Sequence, residues 1–139
     1  MFRRIQGALI SLAFIFAVCS QPPKAVTLTW TCVGDDGNVG TADHYVLVGS
    51  NDRANLEADF WGCSPAYCVE VAGMPVPLPA GTTQSYEIPP NVISLFPPSS
   101  TVYFRIVAVD ESGNAGLPGN TAIKQWPDDV APASIIDLR

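Results

Sequence analysis

The chain has 139 residues, room for one domain with a real core and little else. Thirteen prolines, eleven glycines and only 14% charged residues favour short strands and many turns over helices. A net charge of -6 and an isoelectric point near 4.4, with no basic stripe to meet phosphates, argue against a nucleic-acid partner.

Residues 1–20 have the anatomy of a secretory signal peptide. Arg3 and Arg4 form a short positive region, residues 7–18 are almost continuously apolar, and small residues precede Gln21. The apolar run is short for a membrane span, so any membrane link would run through this segment alone. Cys19 is a candidate for lipidation, as in bacterial lipoprotein signals, although Val18 stands where such a signal usually carries a smaller residue. A second option keeps the segment as a membrane or filament-forming helix. Either way the chain is expected outside the cytoplasm: secreted, periplasmic or surface-anchored.

In residues 25–31, Val26, Leu28 and Trp30 alternate with Thr27, Thr29 and Thr31, which predicts a half-buried strand. Residues 34–40 are dense in turn formers. A second strand is predicted over 44–49, with Tyr45 and Leu47 facing the core. Residues 51–61 differ: Leu56, Phe60 and Trp61 follow Asn51-Asp52 at a spacing that suggests one or two capped helical turns. Cys63 and Cys68 enclose the turn-forming tetrapeptide Ser64-Pro65-Ala66-Tyr67, so a small loop disulfide is expected, adding only modest stability. Cys32 then stands as a buried free thiol, or pairs with one of those two instead. Val69 follows Cys68 where a haem-attachment motif needs His, and the sole histidine is His44, so neither haem nor zinc is expected.

A short strand is expected at 68–71. Residues 74–81 hold three prolines and read as an extended connection. Strands are predicted at 84–88, at 101–109 and at 120–125, with a proline-rich corner over 89–98. The run at 101–109 is the longest alternation in the chain, and Asp110-Glu111-Ser112-Gly113-Asn114 closes it with turn chemistry. Six or so short strands, separated by turns, argue an all-β sandwich.

With the strands placed, residues 24–126 resemble a single bacterial fibronectin type III domain. The resemblance rests on Leu28-Thr29-Trp30-Thr31, Gly34-Asp35-Asp36-Gly37, Tyr45-Val46-Leu47, residues 77–84 (PLPAGTTQ), residues 101–116 (TVYFRIVAVDESGNAG) and Asn120. It implies an immunoglobulin-like β-sandwich carrying a short helical and disulfide insertion, and it argues architecture more than role. Two positions depart from the pattern. Val102 stands where the family has a corner tyrosine, and the family's first strand is missing before Val26. Residues 127–139 instead resemble a linker followed by that first strand. Ser134, Ile135, Ile136 and Leu138 therefore form a candidate donor strand, able to complete an open sheet edge in the same sandwich or in a neighbour.

The fold would bring the loop of Asp35 and Asp36 to the same pole as the loop of Asp110 and Asn114. That gathers oxygen acceptors of the kind Ca²⁺ takes, although such residues also bond their own turns. Asp43-His44 lacks a nucleophile partner and makes no triad. Phe60, Trp61 and Tyr67 offer an aromatic contact platform, or else a satellite core over the sheet. With no acid–base pair and no supported nucleophile, the chain reads as non-catalytic and without a cofactor. The expectation is an exported module that contacts protein or glycan. The alternative is a structural subunit that polymerises through its tail or its N-terminal helix.

Overall fold

The computed structural model describes residues 25–126, and they fold as an all-β sandwich of two antiparallel sheets with two short helices. Strand β1 (Thr27–Thr31) pairs with β4 (Thr83–Glu87), Leu28 opposite Tyr86 and Trp30 opposite Gln84. The second sheet has the order β3-β2-β5-β6, formed by β3 (Cys68–Glu70), β2 (His44–Ser50), β5 (Thr101–Val109) and β6 (Ala122–Gln125). Six strands are thus present among the described residues, the number the strand signals give, where the fibronectin type III resemblance implies about seven. The corner at 89–98 contains a helix that the prolines did not suggest. Pro90 occupies the first turn of α2 (Pro90–Ile93), where its missing N–H costs nothing.

The main core lies between the sheets. Leu28, Leu47, Ile88, Val102 and Phe104 pack there, closed at one end by Val92, Phe96 and Trp126. Trp126 is buried against Phe96 and Phe104, and its indole N–H donates to the carbonyl of Ile93 at 2.7 Å. Gly49 lets the main core close. A Cβ there would lie 2.7 Å from the ring of Phe104 and 3.3 Å from that of Phe96.

A second cluster covers the opposite face of the four-stranded sheet. Val48, Val107 and Val109 meet Leu56 and Phe60, with Tyr103 at the margin. Leu56 comes from α1 (Arg53–Ala58), which the Asp52 side chain caps by accepting from Asn55 N at 3.2 Å. This sheet is therefore buried on both sides, by different partners. In β5 burial changes face along the strand: Val102 and Phe104 point into the main core, Val107 and Val109 into the second cluster.

Candidate functional site

The helical insertion is built to hold one aromatic ring down and another out. Phe60 is buried in the second cluster, and Trp61 stands edge-on to it at 4.9 Å between centroids with 60% of its surface exposed. One ring thus anchors the loop and the next, packed against its edge, is displayed. Asp59 accepts from Gly62 N at 2.8 Å just beyond. The Ser64 carbonyl accepts from both Tyr67 N and Cys68 N at 2.9 Å, closing the turn that the Cys63–Cys68 disulfide spans. Tyr67 projects from this ring, 47% exposed. Of the three platform residues, Phe60 belongs to the satellite core, and Trp61 and Tyr67 belong to the surface.

Glu57 ties the insertion to the sheet. It accepts from the Thr121 hydroxyl at 2.6 Å and from Arg53 at 2.8 Å, and these bonds hold its carboxyl below the ordinary glutamate value. Thr121 precedes β6, so the helix is clasped to the far side of the sheet.

At one pole the turn after β1 and the loop after β5 enclose a cavity of about 270 Å³ lined by Asp35, Asp110 and Asn114 among others. Asp36 is not part of the lining. The Asp110 carboxylate accepts from Asn114 N at 2.7 Å, from the Asn114 amide at 2.8 Å and from Ser112 N at 2.9 Å. The Asn114 side chain, then its backbone, pulls the Asp110 carboxyl below its ordinary value. Asp35 likewise accepts from Asp36 N at 3.0 Å. Among the described residues, no three His, Cys, Asp or Glu side chains gather as a metal-ligand set. The cavity also has apolar walls that sequence reasoning missed. Val33 and Leu117 line it, and Leu117 is 94% exposed. The available signal was a lone apolar residue framed by turn formers, as in Gly116-Leu117-Pro118.

The chain matches no family model, no curated protein and no solved structure. His44 Nδ1 lies 2.8 Å from Asp43 Oδ2 at an exposed strand start, and among the described residues His44 makes no other side-chain hydrogen bond. Cys32 is a buried free thiol whose S–H donates to Gln84 Oε1 at 3.3 Å. Beside it Trp30 and Tyr45 pack edge to face at 5.3 Å, and neither the indole N–H nor the phenol finds a hydrogen-bond partner of good geometry. Cys19 and the tail residues Ser134, Ile135, Ile136 and Leu138 lie outside the described residues.

Proposed function

We propose that this protein is an exported, non-catalytic interaction module of the fibronectin type III kind, contacting protein or glycan through Trp61 and Tyr67. The observation that carries the reading is the exposure of Trp61 beside an anchored Phe60. An indole held edge-on and left mostly uncovered is a pre-ordered contact surface, because little side-chain entropy remains to be lost on binding. The Cys63–Cys68 disulfide supports an oxidising compartment outside the cytoplasm. The two antiparallel sheets support the immunoglobulin-like assignment.

Trp61→Ala tests it. The variant should melt within about 0.5 kcal/mol of the parent, as surface substitutions do. It should also lose on the order of 2 kcal/mol of affinity for whatever glycan or surface protein the parent selects on an array. A parent that selects nothing, or a variant that binds as well as its parent, refutes the reading.

The second reading is a structural subunit that assembles by strand donation. One observation favours it: among the described residues no strand pairs with the outer edge of β1.

A further inference from the structure

β1 has two edges, and they differ. On one side its ladder with β4 includes Ile88 N donating to Val26 O at 2.8 Å and Cys32 N donating to Thr82 O at 2.8 Å. In an antiparallel pair the bonded positions recur every second residue. Val26, Leu28, Trp30 and Cys32 therefore bond toward β4, and the backbone N–H and C=O groups of Thr27, Thr29 and Thr31 face the other way. Beside β4 the segment 72–76 is tied down by side chains: Tyr86 Oη donates to Ala72 O at 3.2 Å, and Gln84 Nε2 donates to Val76 O at 2.8 Å. The outer edge of β1 has no such cover among the described residues. Beside it lies a groove of about 120 Å³ between β1 and β6, with Leu28, Trp30, Ile106, Asn120, Ala122 and Lys124 in its walls. An open edge above an apolar groove is the geometry that accepts an added strand.

Strand directions decide which strand fits. β1 and β5 both run toward the pole with the larger cavity, since the loops that follow them line it together. β6 is antiparallel to β5, so it runs away from that pole and the chain reaches Trp126 at the opposite end, against α2. An antiparallel partner for β1 must enter at the cavity pole. Residues 127–132 of the same chain span at most about 20 Å when extended, roughly the length of β1 itself. They reach the cavity pole with no residues left to reverse direction. A second copy stacked end to end has no such difficulty, because its chain arrives at that pole already pointing the right way.

We infer that the β1–β6 flank accepts residues 133–138 of a second copy as an antiparallel third strand of the smaller sheet, giving head-to-tail assembly. The inference rests on the strand-donation reading and adds its acceptor, donor and direction. In the donor, Ser134, Ile136 and Leu138 share one face by strand periodicity, and Ile136 and Leu138 supply apolar groups for the groove.

The test is sedimentation velocity on the exported full chain and two variants. Ile136→Asp disables the donor and lies outside the described residues. Thr29→Pro disables the acceptor; the N–H it removes faces outward, so the ladder to β4 stays whole. The parent should form longer species as concentration rises, and each variant alone should sediment as a monomer. A mixture of the two should stop at a dimer, because it holds one working donor and one working acceptor. If the parent is monomeric, the strand-donation reading fails and this inference with it. If the parent assembles and both variants assemble equally well, the subunit reading survives and this joint is wrong. Should Thr29→Pro fail to fold, Ile136→Asp alone still decides, since undiminished assembly refutes the donor.

Discussion

Tyr45 shows what a single buried polar atom does to the pH dependence of this fold. Its side chain is packed against Trp30 in the interior, and its hydroxyl finds no hydrogen-bond partner of good geometry, while the neighbouring Cys32 thiol donates to Gln84. Burial first, and then the Cys32 thiol, push the phenol from 10.0 up to about 12. The native state thus resists forming the phenolate more than the unfolded chain does. The stability linked to this group is intact below about 10, the unfolded value, and is lost as pH rises toward about 12. Tyr45→Phe removes the atom without emptying the space. It should raise stability at neutral pH by roughly 1 kcal/mol, since a buried hydroxyl without a bond is a cost. It should also flatten the alkaline limb of a urea-melt series between those two values. A variant less stable than the parent, with the limb unchanged, would mean that the hydroxyl is bonded in solution.

Among the elements, the insertion after β2 separates local order from global fold. The Cys63–Cys68 ring is short, and closing so small a loop removes only about 2 kcal/mol of unfolded-state entropy. Replacing both cysteines by alanine should lower stability by about that much or less. The sandwich should survive, with hydrogen exchange accelerating over residues 59–70 and staying slow in β5. Exchange rising equally in β5 would show that the disulfide holds the whole molecule. The sequence made this element legible in part. Asp52 as a cap and Leu56 as a buried contact follow from spacing, and so does the cysteine pair. The division of labour between Phe60 and Trp61 did not, because two adjacent aromatics carry no sign of which side the sheet is on. The alternation of β1 and of the first half of β5 was readable, but Val107 and Val109 are buried on the other face of β5, which a strict alternation toward one core does not signal. In β2, Tyr45 and Leu47 were readable as inward, but Val48 is buried as well, and a run apolar at every position has no period to read. Trp126, followed by proline, looked like a strand ending, yet it plugs the core, because an isolated tryptophan signals its burial only through tertiary contact.

Taken whole, the molecule is three layers sharing one sheet, and this decides how it should unfold. β2 and β5 form the most extensive pairing, seven residues in register, and each contributes side chains to both clusters. A layer peeled from either face exposes apolar surface on strands that the other face still needs. The second cluster should therefore not melt by itself. Leu56 is fully buried at its centre, and Leu56→Ala should cost about 2–5 kcal/mol through lost burial and the cavity left behind. Differential scanning calorimetry should show one transition moved to lower temperature, with calorimetric and van't Hoff enthalpies still equal. Two resolved transitions, the lower one sensitive to Leu56→Ala and the upper one not, would make the insertion a separate cooperative unit. In that event the contact surface around Trp61 would rest on a part of the protein that opens before the sandwich does, and its pre-ordering for a ligand would fail with it.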